Sequence, residues 1–164
     1  MIHNVYSVQK TDIVKKALEK FAHYRISGMP IVDNGNRLLG YISDGDIMRH
    51  LGRTTNSGFA SWVSMLGYYY GLDVPVADEV RLPAEEVDEF KKNALNLCNK
   101  NVLDVGVKKV IKVKEDDGLV SVADILAKRS IKKVPVVRDN VLVGIISRGD
   151  VVRAVVKEFL TLPE

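Results

Sequence analysis

Cysteine is nearly absent from this chain. Cys98 is the sole cysteine in 164 residues, so no internal disulfide framework can form, and the composition suits a reducing compartment. Histidine is scarce as well: His3, His23 and His50 lie apart, without the spacing of a metal-ligand set. No apolar run reaches the roughly 18 residues a membrane helix needs. The start, Met1-Ile2-His3-Asn4, lacks the basic and apolar regions of a signal peptide, and the expectation is a soluble cytoplasmic protein. Charge of one sign is not concentrated either. Lys and Arg number 24 against 21 Asp and Glu, a net +3 spread along the chain without a run of five or six like charges. A basic arm or stripe for nucleic acid is therefore not expected, nor is a membrane surface. A Walker-type phosphate loop is also missing, and no grouping of residues suggests a catalytic set, so catalysis is the weakest class.

What the chain has is a repeat. Leu38-Leu39-Gly40-Tyr41-Ile42-Ser43-Asp44-Gly45-Asp46-Ile47-Met48-Arg49 returns as Leu142-Val143-Gly144-Ile145-Ile146-Ser147-Arg148-Gly149-Asp150-Val151-Val152-Arg153, with seven of twelve positions identical. Average composition predicts about one match or fewer, so duplication organises the chain. In the first copy, Val5–Val8 reads as a strand. Thr11 and Asp12 can cap a helix whose apolar face is Ile13, Val14, Ala17, Leu18 and Phe21, failing near Arg25. Pro30-Ile31-Val32, the turn Asp33-Asn34-Gly35-Asn36 and the strand Leu38–Ser43 form a hairpin, and a short helix runs from about Asp44 to Leu51. The second copy repeats the order: strand Val110–Val113, caps Asp116 and Asp117, a helix carrying Val122 and Leu126, strand Pro135–Val137, a turn one residue shorter at Arg138-Asp139-Asn140, strand Val141–Ser147, and a helix from about Gly149 to Phe159. A unit of about 45 to 50 residues is marginal alone. The expectation is an α+β fold in which two β-α-β-β-α units pack sheet to sheet around one core, with roughly two-fold symmetry and a cleft on each side.

The order of elements, the Pro-led strand and the G-h-h-S-x-G-D motif together resemble the CBS domain family, present as a tandem pair over about residues 4–51 and 102–159. The divisions expected are 1–51, a helical insertion at 52–101, and 102–164. The resemblance implies a regulatory, non-catalytic module that needs no cofactor. Such pairs commonly bind adenosine-containing ligands such as AMP, ADP, ATP or S-adenosylmethionine, with cyclic di-AMP a further candidate, and commonly form homodimers shaped as flat discs.

The pair Ser-x-x-Asp carries the expected chemistry. Ser43 and Ser147 precede a helix start, where a phosphate is favoured, while Asp46 and Asp150 can accept both hydroxyls of a ribose. Gly45 and Gly149 would let a ligand come close. The same spacing also fits a helix-capping box, and the two roles are compatible. The resemblance implies that one site joins Tyr6, Ile26, Ser27 and Gly28 with Ser147 and Asp150, and that the other joins Ile111, Ile131, Lys132 and Lys133 with Ser43 and Asp46. Basic residues before the strand proline often act in the family beside the Ser and Asp of their own repeat. On that rule Lys133 and Arg148 join the Ser147 cleft, which becomes the favoured phosphate site, and Asp44 repels phosphate from the Ser43 cleft. Arg49 and Arg153 read as surface residues.

Residues 52–101 stand outside the repeat. Phe59, Trp62, Val63 and Leu66 follow helical spacing before Tyr68-Tyr69-Tyr70, and Pro83 can open a second helix with Val87, Phe90, Ala94, Leu97 and Cys98 on one face. The segment reads as a cover, a dimer contact or a docking surface for a separate protein target. Two functions remain: a sensor of an adenosine nucleotide, or a dimerisation and adaptor module without a ligand.

Overall fold

The computed structural model describes residues 2, 4–52 and 84–157. The expected helix at Phe59–Leu66, the three tyrosines and the helix end at Phe159 lie outside the described residues, as do the side chains of Val87 and Phe90. The first repeat comprises β1 (Val8–Gln9), α1 (Val14–Tyr24), β2 (Gly28–Val32), β3 (Leu38–Ser43) and α2 (Asp44–Gly52). Helices α3 (Ala84–Cys98) and α4 (Val102–Val105) follow. The second repeat comprises β4 (Val113–Lys114), α5 (Leu119–Lys128), β5 (Lys133–Arg138), β6 (Val141–Ser147) and α6 (Arg148–Val155).

Each repeat makes a three-stranded sheet, ordered β1-β2-β3 and β4-β5-β6, with the first pairing parallel and the second antiparallel. The registers match: Gly28 faces Ser43 as Lys133 faces Ser147, and both hairpins carry an irregularity just after the residue that follows the strand proline, at Ile31/Val32 and Val136/Val137. The shorter turn has Asp139 and Asn140 at φ 50° and 64°, the two left-handed residues of a tight two-residue hairpin. In the longer one, the Asp33 carboxylate accepts from the N–H groups of Gly35 and Arg37, both at 2.9 Å.

Three expectations need correction. The opening strands are shorter and later than Val5–Val8 and Val110–Val113, because the residues before them leave the sheet for the other repeat. Asp12 and Asp117 do not cap helices. Their carboxylates turn back to the strand ends and accept from the N–H groups of Gln9 and Lys114, each at 2.8 Å, leaving Ile13 and Gly118 as N-caps without a side-chain bond. Apolar residues form two clusters rather than one core. Val14, Ala17, Leu18, Phe21, Ile31, Ile42 and Leu51 gather with Ala94, Leu97, Val102 and Val105 of α3 and α4, while Val113, Val122, Leu126, Val134 and Val136 gather in the second repeat. The first sheet is covered by α1 and α2 together with α3 and α4, and the second by α5 and α6. Cys98 packs half-buried on the first cluster, and burial raises its thiol pKa, as suits an inert structural thiol.

The sheets meet through β3 and β6. Leu38 N–H donates to Asn140 O and Leu142 N–H to Asn36 O, both at 2.9 Å. The Asn36 side chain donates to Leu142 O at 2.8 Å, and the Asn140 side chain reciprocally to Leu38 O at 3.4 Å. Asparagine tolerates the left-handed backbone that both positions adopt. Further along, Tyr41 of β3 exchanges two backbone hydrogen bonds with Val107 (2.9 and 2.8 Å), and Ile145 of β6 exchanges two with Ile2 (3.1 and 3.0 Å). The segment leading into each repeat is thus stitched to the hairpin of the other.

The two Ser-Asp pairs fix the helices that follow. Ser147 and Asp150 form a full capping box: Asp150 N–H donates to Ser147 Oγ at 3.2 Å, and Ser147 N–H donates to Asp150 Oδ2 at 2.8 Å. Arg153 adds a hydrogen bond to Asp150 Oδ1 at 2.7 Å. Burial alone would raise the Asp150 pKa. The hydrogen bonds from the Ser147 side chain and backbone and from Arg153 outweigh it and hold the carboxyl below its ordinary 3.8.

Two outcomes follow from this packing. A Cβ at Gly106 would sit 2.6 Å from Tyr41 O and 2.9 Å from Ile31 Cδ1, so Gly106→Ala must push on the exchanged backbone pair. It should cost about 1–3 kcal/mol, read as a lower urea midpoint, and an unchanged midpoint would contradict the pairing. A carboxyl whose folded pKa is depressed stabilises above its unfolded value and loses that contribution as pH falls through the folded one. Asp150→Asn should therefore reduce stability at pH 7 and flatten its decline below about pH 4. Melts in steps from pH 7 to pH 2 check this, and parallel curves for the two proteins would count against it.

Candidate functional site

Because the leading segments are exchanged, the residues of one cleft come from both repeats. A pocket of about 330 Å³ is lined on one side by Ser27, Tyr41, Ser43, Asp44, Asp46 and Arg49 of the first repeat. Its other wall is Val107, Lys109, Val110 and Ile111, together with Ile131, Lys132, Lys133 and Pro135. A larger groove, about 820 Å³, lies along Lys112–Asp117 and Val137–Asn140. Its polar groups engage one another, Lys112 Nζ with Asn140 Oδ1 and Arg138 Nε with Glu115 Oε2. The smaller pocket is therefore the candidate site: it unites the Ser-Asp motif with apolar walls and unneutralised charge.

Asp46 is the pocket's most constrained group, with 2% of its surface exposed. Oδ2 accepts from Ser43 N–H at 2.8 Å and from Ser43 Oγ–H at 2.6 Å, and Oδ1 accepts from Arg49 Nη2. An ionised carboxylate offers about four lone-pair sites. Three are filled, so one remains on Oδ1 while Arg49 stays in place. Arg49 and Arg153 lie at the surface as expected, and each also reaches back to the carboxylate three positions earlier.

Tyr41 was not anticipated as a site residue. Its ring lies over Gly28, where a Cβ would come within 2.8 Å of Tyr41 Cε1. Burial, then the charges of Asp44 and Asp46, push its phenol pKa up to about 12, so it remains a neutral donor. The available signal was the repeat itself, because Tyr41 stands opposite Ile145, and Gly28 opposite Lys133. Lys109 carried no signal within the duplicated motif. It reaches the pocket only because Val107 pairs with Tyr41.

Of the residues assigned to the second site, Ile111, Ile131, Lys132, Ser43 and Asp46 all line this pocket. Lys133, expected beside both clefts, lines it too, and so does Ser27 of the favoured set. Lys133 is the register partner of Ser147 but belongs to the wall opposite Ser43, because the end of β5 faces the other repeat. The Arg148 guanidinium donates to Ile131 O at 2.9 Å and Leu126 O at 3.4 Å, tying α6 to the end of α5 and leaving three of its five N–H donors. Tyr6 stacks on Tyr24 with ring centres 3.7 Å apart, and Ile26 packs on the first apolar cluster. Gly28 lies buried under Tyr41, and Ser147 and Asp150 hold the first turn of α6. Among the described residues no His, Cys, Asp and Glu cluster suits a metal ion, and no helix is long and apolar enough to cross a membrane.

By count, four cations (Arg49, Lys109, Lys132 and Lys133) face two carboxylates (Asp44 and Asp46). Asp44 is partly occupied, accepting from Gly45 N–H at 2.7 Å. The pocket therefore carries an excess of positive charge between apolar walls.

Known proteins show the same architecture. The CBS domain model matches residues 1–53 and 102–157. An uncharacterized protein of Methanocaldococcus jannaschii, MJ1426, is 31% identical over 140 residues, covering 83% of this chain and 77% of that protein. The chloroplastic CBS domain-containing protein CBSX1 of Arabidopsis thaliana is 31% identical over 157 residues, covering 92% of this chain, which spans 59% of that protein's length. Among solved structures, CBSX2 from Arabidopsis thaliana superposes with a TM-score of 0.68 at 22% identity, covering 99% of this chain and 94% of that one. CBSX2 in complex with AMP gives 0.62 at 24% identity, covering 94% and 89%. The chain belongs to the CBS domain family and carries its domain twice.

Proposed function

We propose that this CBS pair is a regulatory module that binds an adenosine nucleotide in the Ser43/Asp46 pocket, without catalysing a reaction. The observation that carries the reading is the composition of that pocket: Ser43 and Asp46 from one repeat meet Ile111 and Ile131 from the other, with Lys109, Lys132 and Lys133 beside them. In this reading Ile111 and Ile131 wall the adenine, Asp46 accepts one ribose hydroxyl, and the lysines attract the phosphate. The CBSX2 structure with AMP supports the ligand class. AMP, ADP and ATP fit the cationic pocket better than S-adenosylmethionine, whose sulfonium would meet the same lysines. The favoured cleft thus moves from Ser147/Asp150 to Ser43/Asp46. Nucleotide binding would act on a separate protein target, or on pairing of two copies, by stabilising one conformer over another.

Calorimetric titration with AMP tests the assignment. At 100 times its dissociation constant, AMP should stabilise the protein by about 2.7 kcal/mol. Losing a hydrogen bond to a charged group costs about 1.5–3 kcal/mol, so Asp46→Asn should weaken AMP at least about tenfold. Lys133→Met should weaken it in the same direction, and Asp150→Asn should leave the affinity within about twofold. The reverse ranking would place the ligand in the Ser147 cleft. Absence of binding to AMP, ADP and ATP would favour the adaptor reading.

A further inference from the structure

We propose that Arg49 reads the anionic group of the ligand and that Asp46 is its positioning residue. The proposal rests on the nucleotide reading of the same pocket and goes beyond it in assigning the charge recognition. Arg49 looks at first like a helix-surface cation paired three residues back, an arrangement that usually contributes little to stability. Two features argue for more. Its partner is almost wholly buried, whereas Arg49 itself is 61% exposed at the side chain and lines the pocket beside Lys132 and Lys133. Its guanidinium also folds back beside Gly45: a Cβ there would lie 3.8 Å from Arg49 Nη1 and 3.7 Å from Ser43 Oγ, in ordinary van der Waals contact with both.

The same device occurs a second time. Arg153 Nη2 donates to Asp150 Oδ1, and a Cβ at Gly149 would lie 3.4 Å from Arg153 Nη1 and 3.7 Å from Ser147 Oγ. The residues woven between these groups differ, with Asp44, Ile47 and Met48 in one copy and Arg148, Val151 and Val152 in the other. The Gly-Asp-Arg arrangement persists although its surroundings do not.

Donor chemistry completes the argument. A guanidinium carries five N–H donors in a fixed fork, and one is spent on Asp46 Oδ1. The remainder suit a phosphate, which Arg binds through paired, charge-assisted hydrogen bonds. Displacing Arg49 would leave the buried Asp46 carboxylate without its counter-charge just as an anion arrived, an unfavourable exchange. Arg49 therefore stays, Asp46 keeps one lone pair for a sugar hydroxyl, and the carboxylate links recognition of sugar and of phosphate.

Titration of AMP and of adenosine separates this role from a structural one. The wild-type protein, Arg49→Met and Arg49→Lys are compared, with a ligand-free melt of each to confirm folding. Arg49→Met should weaken AMP at least about tenfold and adenosine less than about twofold, with Arg49→Lys between. If AMP and adenosine weaken together, Arg49 only shapes the pocket, and the proposal fails. If AMP binds the wild type and Arg49→Met equally, the proposal fails while the nucleotide reading stands. If the wild type binds neither compound, both fall.

Discussion

Four backbone hydrogen bonds decide which residues can meet across this molecule. Two join Tyr41 to Val107, and two join Ile2 to Ile145. Each fastens the segment ahead of one repeat to the free edge of the other repeat's hairpin, satisfying backbone groups that an exposed sheet edge would leave open. The asparagine contacts between the two turns hold the hairpins in line. Without this exchange, Ser43 and Asp46 would face only their own repeat, and the lysines at 109, 132 and 133 would serve no common pocket. Gly106 is small because the exchanged strand passes so near Tyr41 O.

The exchange also explains where sequence reasoning succeeded. Strand Leu38–Ser43 and the face Val14, Ala17, Leu18, Phe21 follow from hydrophobic spacing, and the structure shows both. The capping geometry of the duplicated Ser-Asp motif was readable from the Ser-x-x-Asp spacing. The caps expected from Asp12 and Asp117 failed because a short carboxylate can bond equally well to a strand end. Lys133 is the register partner of Ser147 and also lines the Ser43/Asp46 pocket, the two places the resemblance gave it; which cleft it serves depends on a crossing between repeats that one-dimensional order does not reveal. Tyr41 and Lys109 belong to the same class: each becomes a pocket residue only through the Tyr41–Val107 pairing.

Divergence between the copies then makes the clefts unequal. In the first cleft, Asp44 sits among four cations, and its carboxylate is drawn to Gly45 N–H. In the second repeat the corresponding Arg148 donates to two carbonyl groups, which joins α6 to α5. Duplication therefore supplied two copies of one hydrogen-bonded frame, and substitution around the frame distributed charge unevenly. A ligand that bridges the two repeats through this frame would couple their relative positions, since its contacts exist only when both walls are in place.

The structure of the complex with AMP tests the central claim most directly. The account predicts one nucleotide between the repeats, its adenine against Ile111 and Ile131, one ribose hydroxyl on Asp46 Oδ1, and its phosphate within hydrogen-bonding distance of Arg49. AMP lodged against Ser147 and Asp150, or bound to one repeat alone, would contradict it.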